Sequence, residues 1–479
     1  MNVTSSLLLW VLTNLHVVFS AVLVVLVLLR KKEPVSTVAW VLGVVFIPYV
    51  GGLAFLIFGN NRVERKVHRK RLSNAEISPL LPTLARYHGL SPDGDGAINQ
   101  QLMGLANRIA GTRPTARNHV DVLLDTNRTY GLQEQAIREA KHHVHLEYYI
   151  FQPDETGRRF RDLLIDKAGE GVRVRLLYDA VGSSRLRKRF LAPLEEAGAE
   201  VACFLPVNPL RRRLIINLRN HRKILIVDGR TAFTGGVNIG NEYVGRSESL
   251  GYWRDTHLRL QGPSVLQLQQ IFAEDWYFAT DRELVATELY PPPEEPGREL
   301  VHVVAGGPDR GVEVFHELFF TAITTARQRI RLETSYFVPT SALQIALETA
   351  AHRGVDVGLL LPGRSAHRTV LLAAQSYYES LLSAGVKVYE YQRGLLHSKM
   401  LTVDGAWSFV GSANFDNRSL RLNFEAGALF YGHRIARQLE QVFDADVKDA
   451  RELTLDEWHR RGLARQVAES TCRLLSPIL

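Results

Sequence analysis

The sequence predicts an α/β fold in which one domain occurs twice, two sheets flanked by helices and related by a pseudo-twofold, behind an N-terminal two-helix transmembrane hairpin. Three observations predict it. Two uncharged apolar stretches open the chain, strand and helix signals recur in the same order in each half, and one polar motif appears in both halves with its companions at equal offsets.

The chain's 479 residues exceed the usual size of one domain. A formal net charge of +8 points to an anionic partner, whether phospholipid headgroups, nucleic acid or phosphate esters, and composition does not choose among them. Cys203 and Cys472 are too few for a disulfide framework and lack zinc-type spacing, so they read as incidental thiols in a reducing compartment.

Leu7 to Leu29 and Val35 to Phe58 carry no formal charge, and each is long enough to cross a hydrocarbon core of roughly 30 Å. No Lys or Arg precedes Arg30, which argues against a cleaved signal peptide. Residues 1–60 are therefore expected to be the hairpin. The segment 61–111 is expected to be a basic juxtamembrane linker, with Arg62, Arg65, Lys66, Arg69, Lys70 and Arg71 near anionic headgroups. That count exceeds the Arg30, Lys31 and Lys32 of the connection, which places the soluble part on the cytoplasmic side.

The first half then offers a strand from His145 to Phe151, a helix from Arg159 to Glu170 closed by Gly171, and a strand from Val172 to Tyr178. The second half repeats the order with Ile330 to Phe337, Ser341 to His352, Gly354, and Val355 to Leu361. Further helices, Arg187 to Ala197 and Val370 to Ala384, each end at a glycine. Such alternation implies parallel pairing with helices covering the sheet. The Pro-rich run Tyr290 to Gly297 separates the halves. The expected domains are 112–285 and 298–460, joined by a linker at 286–297. A tail at 461–479 is read as a packing or membrane-touching helix.

The repeated motif is His221-Arg-Lys223 with Asp228-Gly229, and His397-Ser-Lys399 with Asp404-Gly405. Each His is followed at one offset by a Gly-x-x-Asn turn, ending in Asn238 and Asn414. The apolar, β-branched run after each Lys reads as a buried strand, so His and Lys, two apart, project from one face. A protonated ammonium cannot coordinate a metal, so the pairing argues against a metal site and for an anion. Lys223, Lys399, Asn238 and Asn414 would donate to phosphate oxygens. Metal-free phosphodiester exchange needs a nucleophile and a group that protonates the leaving alkoxide, and two facing copies supply both.

Asp255 and Glu425 follow the motif histidines, and either carboxylate would fix an imidazole tautomer. Asp228 and Asp404 belong to the catalytic motif but fall on the opposite strand face, so they are expected to fix neighbouring backbone. His142, His143 and His145 cluster without matching ligands nearby. The basic runs at 185–189 and 211–213 read equally as headgroup-facing or solvated.

The duplicated motif with its Gly-x-x-Asn turn resembles the phospholipase D superfamily. Pro48 to Gly51, Leu218 to Asp228, Gly411 to Ser419 and the ending Leu474 to Leu479 are similar to the bacterial cardiolipin synthases within it. The resemblance implies transfer of a phosphatidyl group from one phosphatidylglycerol to another through a phosphatidyl-histidine, with His221 as nucleophile and His397 as acid and base. The two strings are alike enough that their residues do not decide between these roles. It also implies that no metal or organic cofactor is required and that phosphatidylglycerol and other anionic lipids are the partners. The two apolar stretches and basic flanks indicate a multi-pass protein of the inner cell membrane and, with no aromatic-plus-basic strip, argue against nucleic acid; self-association is left open. A hydrolase or another phosphodiesterase of the same superfamily would use the same residues.

Overall fold

The computed structural model describes residues 17–29, 34–58, 62–89, 97–206, 217–246, 251–365, 367–474 and 476. Residues 1–68 form one compact unit and residues 69–479 another.

In the first unit, helices cover residues 17–28, Pro34–Phe46 and Pro48–Phe58. Leu23, Val27, Val44 and Phe55 pack together, while Val18, Leu29, Phe46 and Val50 face outward. Among the described residues no helix is long and apolar enough to cross a membrane. Of the two expected spans, the second is not one continuous helix. The second stretch breaks at Ile47 because Pro48 has no N–H to continue the helical ladder and opens a new helix instead. Residues 7–16 of the first stretch lie outside the described residues.

In the second unit each half builds the same strand sequence across its sheet. The first half runs Glu200–Phe204, Arg173–Asp179, His143–Tyr148, Lys223–Val227, Thr231–Gly235, His257–Gln261, Thr115–Leu123. The second half runs Lys387–Tyr391, Asp356–Pro362, Arg329–Thr334, Lys399–Val403, Trp407–Gly411, Asn423–Tyr431, Glu299–Gly306, with Ala450–Leu453 added at its outer edge. In each half the first three strands are parallel, as their strand–helix–strand order requires, and the rest antiparallel. The sheets are therefore mixed rather than parallel. They also join, because Thr115–Leu123 pairs antiparallel with Glu299–Gly306. That pairing covers the two edges that would otherwise expose unpaired backbone groups.

The antiparallel part begins at the motif strands, and its cause is local. After Val227, Asp228 and Gly229 both adopt left-handed backbone angles (φ 54° and 63°), and Asp404 and Gly405 do the same (53° and 59°). Asp-Gly is the dipeptide that most readily supplies two positive φ values in a tight hairpin, so each motif strand folds straight back on its neighbour.

The described residues of segment 61–111 are folded rather than a linker. Its helix Ala97–Ala110 buries Leu102, Ala106 and Ala110, spaced one turn apart, in the core of the second half with Val304, Phe315 and Leu318. Lys70, expected to face headgroups, is buried, with Nζ 2.8 Å from Asp275 and 2.7 Å from the Asn74 side chain. The expected helix 370–384 is two, Arg368–Gln375 and Tyr378–Ser383. In the tail, helix Leu463–Arg473 packs along Arg368–Gln375, and Ser476 Oγ lies 3.2 Å from the Tyr377 hydroxyl.

Candidate active site

His221 and His397 each sit just before a motif strand, and both line one cavity of about 460 Å³. The cavity draws its walls from both halves: Tyr149, Arg219 and Asn238 from the first, Ser335, Asn414 and Arg418 from the second. Each motif Lys reaches back to its own His, in both copies through the backbone carbonyl. Lys223 Nζ donates to the His221 carbonyl at 2.6 Å, and Lys399 Nζ donates to Ser335 Oγ at 2.8 Å and to the His397 carbonyl.

The carboxylates cross over. His221 Nδ1 lies 3.0 Å from Glu425 Oε2, and His397 Nδ1 lies 2.6 Å from Asp255 Oδ2. Each imidazole is thus held by a residue of the opposite half. Burial opposes ionisation of both carboxyls, yet the adjacent imidazole and lysine charges hold Asp255 and Glu425 below the usual range. An ionised carboxylate only accepts, so each Nδ1 carries the proton and each Nε2 presents its lone pair.

Short strands stitch the crossing in place. Arg219–Asn220 pairs parallel with Asn423 and Phe424, and Gly394–Leu396 pairs parallel with Tyr252–Arg254. The His221 N–H donates to the Phe424 carbonyl at 2.9 Å, and the His397 N–H to the Arg254 carbonyl at 2.6 Å. Buried ion pairs brace these strands. Arg222 binds Asp275 and donates from Nε to the Glu425 carbonyl at 3.1 Å, while Arg254 Nε donates to Asp446 Oδ1 at 3.0 Å.

Asp228 and Asp404 lie off the cavity. Asp228 accepts from the backbone N–H groups of Lys141, His142 and His143 at 2.8, 2.8 and 2.9 Å. Asp404 does the same for Arg327, Gln328 and Arg329 at 2.9, 2.7 and 2.9 Å. Asn238 and Asn414 do line the cavity, but the Asn238 amide is engaged: Nδ2 donates to the Tyr243 hydroxyl and Oδ1 accepts from Ile150 N–H, both at 3.1 Å. His145 Nδ1 lies 3.1 Å from the Gln269 side chain, and among the described residues no group of His, Cys, Asp and Glu is arranged to hold a metal.

Burial, helped by the neighbouring lysines, pulls both imidazoles down to about 4 against the pull of their carboxylates. Burial likewise lowers Lys223 to about 7 and Lys399 to about 8. A site without an anion therefore holds neutral imidazoles beside easily discharged ammonium groups. A phosphodiester monoanion reverses that balance, favouring both the ammonium and an imidazolium.

Sequence reasoning missed the aromatic walls and the outer charges. The Tyr149 ring meets His221 edge-on at 4.8 Å, and Trp253 meets His397 at 5.0 Å. Arg219, Glu242 and Arg418 also line the cavity, and their fixed offsets from the motif His and Asn residues were the available signal.

A fold duplicated about a shared cavity, with one carboxylate-held imidazole from each copy, defines a class of phosphodiester-transfer proteins. The family model described as "Cardiolipin synthase, PLD-like domain" matches residues 134–276 and 319–447, and that described as "Phospholipase_D-nuclease N-terminal" matches residues 17–60. Cardiolipin synthase 2 of Bacillus anthracis is 39% identical over 460 residues, covering 95% of this chain and 88% of that protein. Cardiolipin synthase of Geobacillus sp. (strain WCH70) is 38% identical over 477 residues, covering 98% and 93%. A crystal structure of phosphatidylserine synthase from Haemophilus influenzae Rd KW20 shares the fold, with a TM-score of 0.60 at 16% identity over 79% of this chain and 100% of that one. The chain belongs to the cardiolipin synthase family of phospholipase D-like proteins.

Proposed function

We propose that the chain is a phosphatidyltransferase that condenses two phosphatidylglycerol molecules into cardiolipin and glycerol. The observation that carries the reading is the pair of imidazoles on one cavity, each with its Nδ1 committed to a carboxylate of the other half. In the first step one Nε2 forms a bond to phosphorus, the bond from phosphorus to the glycerol oxygen breaks, and the second imidazole, as imidazolium, protonates that oxygen. In the second step the now neutral second imidazole takes the proton of an acceptor hydroxyl. The new O–P bond replaces the N–P bond, and the first imidazole is restored. Lys223 and Lys399 stabilise the charge on the non-bridging oxygens, with Asn414 and, after a change of partner, Asn238.

Residues 1–60 anchor the enzyme at the cell membrane through their apolar helices, with the duplicated domain on the cytoplasmic side. The support is the uncharged character of both stretches and the basic excess after residue 60. Anchoring keeps the cavity where lipid acceptors outnumber other alcohols.

Purified protein in phosphatidylglycerol vesicles should yield cardiolipin and glycerol in equal amounts. Phosphatidic acid as the main product would establish a hydrolase instead. His221→Ala and His397→Ala should each lower turnover by at least about four orders of magnitude, as loss of a covalent or acid–base partner does elsewhere. Near-normal activity in either variant would defeat the two-imidazole scheme.

A further inference from the structure

The two halves match at the reacting centre and differ just outside it. Arg219 stands two residues before His221, and its counterpart before His397 is Leu395. Arg418 stands four residues after Asn414, and its counterpart after Asn238 is Glu242. All four line the same cavity.

The two arginines gather beside His221. Arg219 is buried, and its guanidinium lies 3.7 Å from the Asp179 carboxylate, which also accepts from the Asn220 N–H at 3.0 Å. Arg418 Nη2 donates at 3.2 Å to the carbonyl of Asn217, on the segment that leads into His221. Tyr149, in contact with His221, feels both guanidinium charges. On the other side Trp253 meets the His397 ring and Leu395 stands two residues before it, while Glu242, also on the cavity, acts electrostatically on Tyr336.

In the reading above the duplicated lysines serve the reacting phosphate, which leaves the two arginines, without counterparts in the other half, for a different role. Condensation of two phosphatidylglycerols puts two phosphates in the cavity together. One is bonded to imidazole, and the other sits across the acceptor's own glycerol. Like charges that close repel unless a second set of cations holds the newcomer. Paired guanidinium groups suit a phosphodiester because their donors match its oxygens in geometry. Glu242 would repel a phosphate at its position and accept hydrogen bonds from glycerol hydroxyls there.

We propose that Arg219 and Arg418 form a second anion subsite, which holds the phosphodiester of the acceptor lipid while its terminal hydroxyl reaches the reacting phosphorus. The proposal rests on the cardiolipin-forming reading above. Its test uses full-length protein in phosphatidylglycerol vesicles with two acceptors read side by side: phosphatidylglycerol itself, giving cardiolipin, and radiolabelled free glycerol, which has no phosphate and exchanges into the lipid. In Arg418→Gln the ratio of cardiolipin formed to glycerol exchanged should fall at least tenfold, and Arg418→Lys should restore it to within about threefold. An equal fall in both reactions, as a donor-binding or scaffolding role would give, overturns the subsite, and so does an unchanged ratio. The unmodified enzyme gives a second reading that needs no variant. It should take glycerol 3-phosphate in preference to glycerol as soluble acceptor, and equal use of the two overturns the subsite. An unmodified enzyme that neither makes cardiolipin nor exchanges glycerol refutes the underlying reaction rather than the subsite.

Discussion

Each reacting imidazole depends on a carboxylate more than 140 residues away, at separations of 204 residues for His221 and Glu425 and 142 for His397 and Asp255. Glu425→Gln or Asp255→Asn preserves the shape but removes the charge that fixes the Nδ1 tautomer. Turnover should fall by about two to four orders of magnitude with little change in lipid binding, measured as kcat against KM. The pH dependence follows from the same residues. Lys223 and Lys399 are lowered to about 7 and about 8, so they are charged below those values and lose phosphate affinity as pH rises through them. The imidazoles, lowered to about 4, supply the required imidazolium more readily at lower pH. Both effects point one way, so kcat/KM should decline by at least about tenfold between pH 6 and pH 9. A rise over that interval would contradict the assigned roles.

The motif hairpins show what the sequence could reveal and what it could not. Strand Lys399–Val403 was legible because alternation along a strand is a local property, and the placement of His397 and Lys399 on one face followed from it. Asp404-Gly405 carries a local hairpin signal, yet the strand–helix alternation around it implied parallel pairing and hid the antiparallel return. The crossing of Asp255 to His397 had no local signature, since it depends on pairing between Gly394–Leu396 and Tyr252–Arg254. Helix Ala97–Ala110 was missed for a related reason: its three buried residues include two alanines, which give weak hydrophobic contrast in a stretch rich in polar residues. Asp404 gives the element-scale test. Asp404→Asn keeps a side chain that tolerates positive φ but replaces one accepting oxygen with a donor, leaving a backbone N–H of Arg327 to Arg329 unsatisfied. Because water reaches these exposed N–H groups, the expected cost is about 0.5–1.5 kcal/mol, read as a melting temperature lower by a degree or two, with far less loss of turnover per folded molecule than in His397→Ala. A variant as stable as the parent would show that these three N–H groups do not need the carboxylate.

Residues 69–479 behave as one compact unit, bound together by the joined sheet edges, the two crossing strand pairs and the exchanged carboxylates. A complete site therefore lies within each polypeptide. Mixing His221→Ala with His397→Ala protein, in detergent and then in vesicles, should restore no activity. Recovery approaching a quarter of the parental rate would mean that the site forms between chains. Covalent continuity has a consequence beyond keeping the copies together. Two identical subunits meeting about an exact dyad must repeat every substitution, so an arginine gained on one side would appear on the other as well. Once both copies share a single polypeptide, Arg418 can stand opposite a Glu242 in matched positions, and a symmetric scaffold acquires a direction.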